Sequence, residues 1–302
     1  MLTGSPSPSI ANQTKTLEVV FLGLCCFSQT GGIEKVNRAW LKALQNISSS
    51  LNIKLISCFL LDDQANTSYI NSNNFKGFKS NKINYTLQVI YYALKADIVI
   101  VSHIHLSPIL FLIQKIKPKL KVYIHAHGIE VWEQLSSFQI KVLKKASSIL
   151  AVSQFTKSKL IQNYHIPSNQ IEIWPNCLDP YFDIPKDFTP SATLKKRYAI
   201  DEETKVLFTL ARLSTTEQYK GYDDVIAALP LLQLKYPNII YLIGGKYDDA
   251  EFLRLNQLIT NLGLSKQVKL LGYIPNEELT AHYVLANVYV MLVRERDLES
   301  PL

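Results

Sequence analysis

Three groups of residues in this 302-residue sequence have types and spacing suited to chemistry. The first is Gln29-Thr30-Gly31-Gly32, between an apolar run and a helical pattern. Glycines there permit close backbone approach, and a helix N-terminus offers unpaired N–H groups to an anion. The dinucleotide fingerprint needs three spaced glycines, so a plain tight turn is the competing reading. The second group is histidine. His103 and His105 follow one predicted strand, and His125 and His127 follow another. The spacing puts His125 and His127 on one face. A histidine at that edge could position a hydroxyl, share a proton or bind a metal. No third ligand stands at a zinc-like spacing, so no metal is expected. For His105 and His125 the plain expectation is a structural ring with its hydrogen bonds satisfied. The third group is Arg212, at the end of Val-Leu-Phe-Thr-Leu-Ala-Arg, and Lys220, before Gly221 at a helix start. Two cations beside a helix N-terminus suit a diphosphate, and two solvated surface cations are the plain alternative. No Gly-x-Ser-x-Gly elbow and no Gly-x-x-x-x-Gly-Lys-Ser/Thr loop occurs, which sets aside two other chemistries.

The elements that must position these residues alternate. Glu18–Phe27 reads as a buried strand. Its apolar run Val19–Phe27 follows the acidic Glu18 and leads into Gly-Gly with no small-residue cleavage site, which argues against a secretory segment. Ile33, Val36, Trp40, Leu41, Leu44 and Ile47 then share a helical face. Strands are predicted at Lys54–Leu61, Asp97–Ser102, Lys121–His125, Ser148–Ser153 and Gln170–Trp174, with helices at Ile83–Leu94, Pro108–Lys117, Gln134–Lys145 and Gln154–Tyr164. Residues 62–82 are Asn/Ser/Lys-rich with no apolar period and read as a surface loop. Pro175–Pro190 is the best linker. Strands then return at Lys205–Ala211, Asn238–Ile243, Val268–Leu271 and Asn287–Leu292, with helices at Tyr222–Lys235, Ala250–Leu262 and Asn276–Leu285. Repeated β-α units on both sides of one linker mean α/β architecture with two doubly wound parallel sheets. Ligands in such sheets bind at the carboxyl ends of the strands, and the cleft between two such domains is the default site. The expected division is a loose tail at 1–16, a first domain at 17–184 and a second at 185–302. The second offers four strands and reads as incomplete.

Composition narrows the class. The chain is 47% apolar and 19% charged, enough for a full core and too apolar for overall disorder. No apolar run approaches the ~20 residues of a membrane helix. Net charge is +7 and uneven: residues 1–185 hold 18 Lys/Arg against 10 Asp/Glu, and residues 186–302 hold 14 against 15. The surplus suits an anionic surface or substrate, or is simply a solvated basic face. Lys115, Lys117, Lys119 and Lys121, and then Lys141, Lys144 and Lys145, form two basic clusters beside apolar residues. They could dock on anionic lipid. No aromatic-rich basic groove appears, so nucleic acid is not an expected partner. Cys25, Cys26, Cys58 and Cys177 show no metal or paired spacing, which fits a reducing cytoplasm.

In order, these motifs resemble glycosyltransferase family 4. Gly31-Gly32-Ile33-Glu34-Lys35-Val36 resembles the family's opening Gly-Gly-helix, and His127-Gly128-Ile129-Glu130-Val131-Trp132 its His-Gly motif. Ala146–Lys159 is similar to the segment that begins the last strand of the first domain. Ile173-Trp174-Pro175-Asn176-Cys177-Leu178-Asp179 resembles the crossover, with Cys177 where glycine is usual. Phe208–Gly221 resembles the donor segment, and Leu242–Gly245 and Val268–Tyr273 the later donor-domain strands. The resemblance implies the GT-B fold of two Rossmann-like domains and a retaining transfer of sugar from a nucleotide diphosphate. It implies that Arg212 and Lys220 hold the diphosphate of a UDP- or GDP-sugar, that Gly31 and Gly32 approach the same phosphates, and that His127 faces the transferred sugar. Glu299 would be the first of two donor-binding glutamates, its partner falling beyond Leu302. No metal or other cofactor is implied. The acceptor would be a saccharide or a lipid-linked sugar in polysaccharide or glycolipid assembly. The chain would work in the cytoplasm, or peripherally on the inner membrane face. A truncated, non-catalytic sugar-nucleotide binder and a sugar-nucleotide epimerase of the same fold are the alternatives.

Overall fold

Strand β1 (Leu17–Gly23) is buried over its last five residues, and the first sheet grows outward from it on both sides. The computed structural model describes residues 15–132 and 134–294, which divide into two units between Phe182 and Asp183. In the first unit, β1 leads through α1 (Gly32–Ser50) to β2 (Ile53–Phe59) and then to a short β3 (Phe75–Gly77). The chain returns through α2 (Lys82–Lys95) to β4 (Ile98–Val101) on the other side of β1. It continues through α3 (Ser107–Ile116), β5 (Lys121–Ala126), the single turn α4 (Ile129–Trp132) and α5 (Ser137–Lys144). Strand β6 (Ser148–Ala151), α6 (Gln154–Tyr164) and β7 (Ile171–Ile173) complete the unit. The strand order is β3-β2-β1-β4-β5-β6-β7 and every pairing is parallel. The order reverses between β1 and β4, so the loops after these two strands flank a topological switch point.

Alternation along β1 divides its side chains between two cores. Val20 and Leu22 join Tyr85, Val89, Leu110, Val142 and Leu160 on one face. Val19 and Phe21 join Leu41, Phe59, Ile70 and Phe75 on the other. Helix α1 buries Leu41 in this second core, with Trp40 and Leu44 packed against it.

The second unit opens with α7 (Ala192–Tyr198), then β8 (Lys205–Leu210), α8 (Tyr222–Gln233), β9 (Ile239–Gly244) and α9 (Asp249–Asn261). It continues with β10 (Val268–Gly272), α10 (Asn276–Leu285) and β11 (Val288–Tyr289). The order β10-β9-β8-β11 is again wholly parallel, with its reversal between β8 and β11. Tyr241 and Ile243 of β9 face one core, with α8 and α9, and Leu242 faces the other, with α7 and α10.

Residues 62–82 are not the plain surface loop their composition predicts. They carry β3, and Ile70, Phe75 and Phe78 are buried. Each of these is a single large apolar residue among polar ones, so no period develops over a three-residue edge strand. Helix α7 has no counterpart in the sequence reading, because only Leu194 and Tyr198 anchor it. Among the described residues no helix is long and apolar enough to cross a membrane.

Leu41 is fully buried between β1 and the β2–β3 edge. Leu41→Ala is expected to lower the unfolding free energy by about 3 kcal/mol. Urea unfolding should show this as a lower midpoint with an unchanged slope.

Candidate functional site

Where β1 ends, the backbone N–H groups of Cys26, Phe27 and Ser28 leave the ladder, and all three donate to the Asp62 carboxylate. The distances are 2.7 Å, 3.0 Å and 2.7 Å. Asp62 follows β2 and is 1% exposed. From the other side, α1 sends back Asn37, whose Nδ2 donates to the Cys25 carbonyl at 2.8 Å, and Arg38, which donates to the carbonyls of Cys26 and Gln29. The loop is therefore tied to two elements before it reaches the glycines. Gly31 has φ −167°, extended backbone open to any residue. A Cβ on Gly32 would meet nothing within 4 Å. Neither the backbone angles at 31 nor the space around 32 demands glycine.

The histidines stand on the neighbouring strands. His103 follows β4 and accepts at Nδ1 from the His105 N–H at 3.1 Å. His127 follows β5; its own N–H donates to Glu130 Oε1 at 2.6 Å, and its Nε2 donates to the Ser102 carbonyl at 2.8 Å. A carbonyl only accepts, so Nε2 carries the proton and Nδ1 of the neutral ring keeps a lone pair. Burial pushes His127 down from the ordinary 6.5 to about 4, against the opposing pull of the Ser102 bond. Gly128 has φ +143°, and its missing Cβ would lie 3.0 Å from the Trp132 ring, so glycine is required to turn the chain after His127.

His125 departs from its expectation. It is 1% exposed, and neither ring nitrogen has a hydrogen-bond partner among the described residues. Its ring centroid lies 4.1 Å from that of His127, and burial pushes it down to about 3. Among the described residues, no group of three or more His, Cys, Asp or Glu side chains is placed to hold a metal.

In the second unit the loop after β8 carries Arg212 and Lys220. The structure brings them together on one carboxylate, Glu217. Arg212 Nη1 lies 3.4 Å from Glu217 Oε1, and Lys220 Nζ donates to Glu217 Oε2. The loop is pinned along its length. The Thr215 N–H donates to Asp248 Oδ2 at 3.0 Å, and Gln218 Nε2 donates to Glu251 Oε2 at 2.8 Å. Glu251, whose side chain is fully buried, also receives the Tyr222 hydroxyl at 2.7 Å and two bonds from Arg254. Burial alone would raise the Glu251 carboxyl. The bonds from Arg254, Tyr222 and Gln218 outweigh it and hold the group below the usual carboxylate range. Gly221 closes the loop at φ +67°, and a Cβ there would fall 1.8 Å from the Leu292 carbonyl oxygen. Of the expected site residues, Gly31 and Gly32 follow β1 and His127 follows β5, at the carboxyl edge of the first sheet with β4 between those strands, and Arg212 and Lys220 follow β8 at the carboxyl edge of the second. Glu299 lies outside the described residues. Sequence reasoning missed Asp62, Glu217 and Glu251. For Glu217 the three-residue spacing to Lys220 was an available signal.

A family model described as Glycosyltransferase Family 4 matches residues 30–182, and one described as Glycosyl transferases group 1 matches residues 190–299. The chain is similar to a GDP-mannose-dependent alpha-(1-6)-phosphatidylinositol monomannoside mannosyltransferase of Mycolicibacterium smegmatis. Identity is 30% over 182 residues, which is 58% of this chain and 45% of that protein. An O-antigen chain mannosyltransferase B of Escherichia coli is 27% identical over 153 residues, 49% of this chain and 38% of its own length. The chain thus matches about half the length of these relatives or less. The crystal structure of Anabaena HepE in complex with UDP superposes with a TM-score of 0.69 at 19% identity, covering 90% of this chain and 73% of that one. That likeness concerns the fold.

His103, His125 and His127 give a pH prediction. Burial lowers all three, to about 4, 3 and 4, from the ordinary 6.5. Between those values the unfolded chain binds more protons than the folded one. The stability these rings confer is complete above pH 6.5 and is lost as pH falls toward 4. Calorimetry should show a falling melting temperature over that window. The His127 ring signals in NMR should stay those of neutral imidazole down to about pH 5.

Proposed function

The chain belongs to glycosyltransferase family 4, and from that premise we propose that it moves a sugar from a UDP- or GDP-sugar to a saccharide or lipid-linked acceptor, with retention of anomeric configuration. The convergence of Arg212 and Lys220 at the carboxyl end of β8, beside the switch point of the second sheet, carries this reading. Two cations there receive a diphosphate. As the bond to the sugar breaks, charge develops on the leaving nucleoside diphosphate, and fixed cations stabilise it without a metal. In the first unit, Gly31 is the N-cap of α1 and the space around Gly32 is open, which leaves that N-terminus free to take a phosphate oxygen. His127, neutral and with its Nε2 proton held by the Ser102 carbonyl, offers Nδ1 to a hydroxyl of the transferred sugar.

The acceptor reading rests on a surface of the first unit. Ile83, Leu87, Tyr91 and Leu94 are exposed at spacings of four, four and three residues, an apolar stripe along α2. Leu112 and Ile116 are exposed on α3, which packs beside α2. Lys115 and Lys145 reach the Phe111 ring from α3 and from the end of α5, so the two basic clusters meet. Lys117 is not part of this surface. Its ammonium donates to the carbonyls of Leu94 and Ala96 and caps α2. An apolar stripe beside lysines suits an anionic bilayer and a lipid-linked acceptor, on the cytoplasmic face. The mycobacterial relative, by its name, works on a phosphatidylinositol glycolipid.

Two measurements check the proposal. UDP or GDP at about 100 times its Kd should raise the melting temperature by a few degrees. Arg212→Ala and Lys220→Ala should each abolish the shift, and His127→Ala should keep it while losing acceptor-dependent release of nucleotide. No shift with any nucleotide, or one indifferent to both cation variants, contradicts the reading. Conversion of the donor without an acceptor would instead mark an epimerase. Second, the protein should sediment with anionic vesicles at low salt and stay in the supernatant with neutral ones. Leu87→Glu should release it.

A further inference from the structure

We propose that Glu217 is a built-in counter-ion of the donor site that discriminates between the nucleotide sugar and the nucleoside diphosphate left after transfer. The inference rests on the donor reading of Arg212 and Lys220. Glu217 spends one carboxylate oxygen on each cation, Oε1 on Arg212 at 3.4 Å and Oε2 on Lys220. The Glu217 and Lys220 side chains are 22% and 18% exposed, so water screens that pair only in part, whereas Arg212 is 61% exposed and lies at the rim.

The backbone that carries the carboxylate is held in place. The Glu217 N–H donates to the Ser214 carbonyl at 2.9 Å, and the Glu217 carbonyl receives the Lys220 N–H at 3.1 Å. Beyond it, Gln218 is bound to Glu251, and Thr215 to Asp248. From this backbone the carboxylate reaches both cations, so a phosphate that comes to them must share them with it.

The consequence follows from charge. An intact nucleotide sugar has two phosphodiester-like groups and about two negative charges. The product has a free terminal phosphate, whose second ionisation falls near pH 6, and so carries about three at neutral pH. Two cations and one carboxylate present a net single positive charge. Repulsion by Glu217 acts on both ligands, and more strongly on the product, which bears the extra charge on its terminal phosphate. The site then gives up some donor affinity and loosens its hold on the product by more. Glu217 is a specificity-determining residue in this sense and takes no part in bond making.

Calorimetric titration of the whole chain separates the possibilities, using UDP with UDP-glucose and GDP with GDP-mannose, no acceptor present, on wild type, Glu217→Gln and Glu217→Asp. Glutamine keeps an acceptor oxygen for either cation and removes only the charge. The expected result is that Glu217→Gln tightens the nucleoside diphosphate on the order of tenfold and its sugar-bearing form by clearly less. Glu217→Asp should keep the wild-type preference. If Glu217→Gln weakens both ligands, or changes both by the same factor, Glu217 only orders the loop and the inference is overturned. If wild type binds no nucleotide, the donor reading itself falls, and this inference with it.

Discussion

Parallel strands deliver the loops that follow them to one edge, and at that edge the backbone N–H groups run out of ladder partners. In this protein carboxylates take the place of the missing ladder. Asp62 gathers the N–H groups of Cys26, Phe27 and Ser28 at the end of β1. After β8, Asp248 takes the Thr215 N–H, and Glu251 holds the loop through the side chains of Gln218 and Tyr222. A buried carboxylate is tolerated only when its oxygens are filled, so Asp62 and Glu251 each fix a loop as firmly as the loop stabilises the acid. Gly31, Gly32, Arg212 and Lys220 hang from those loops, whereas His127 is set after β5 by Ser102 and Glu130.

The two edges differ in electrical character. In the first unit the candidate groups are neutral: a histidine held uncharged by burial, and open glycine backbone at a helix start. In the second, two cations share one carboxylate. A neutral imidazole recognises hydroxyls, and a cation pair recognises phosphate.

Much of this was legible in the sequence, for particular reasons. The parallel α/β fold showed in the alternation of β-branched runs with helical spacing. Arg212 and Lys220 stood out because one ends an apolar run and the other precedes Gly-helix. What stayed hidden depends on partners far along the chain. Asp62 acts on residues 34 to 36 positions earlier, and Gln218 meets Glu251 33 positions on. Composition made residues 62–82 read as a loop, since isolated Ile70, Phe75 and Phe78 form no period. Lys117 read as a surface cation, and its role in capping α2 depends on a contact 23 residues away. His125 read as a satisfied ring, and only the three-dimensional environment shows its nitrogens unpartnered among the described residues.

The most direct test of the central claim is a crystal structure of the chain with UDP or GDP. The account predicts the diphosphate at the carboxyl end of β8, within hydrogen-bonding distance of the Arg212 and Lys220 side chains, with Glu217 still beside them. A diphosphate bound elsewhere, with Arg212 and Lys220 still engaged only by Glu217, would contradict it.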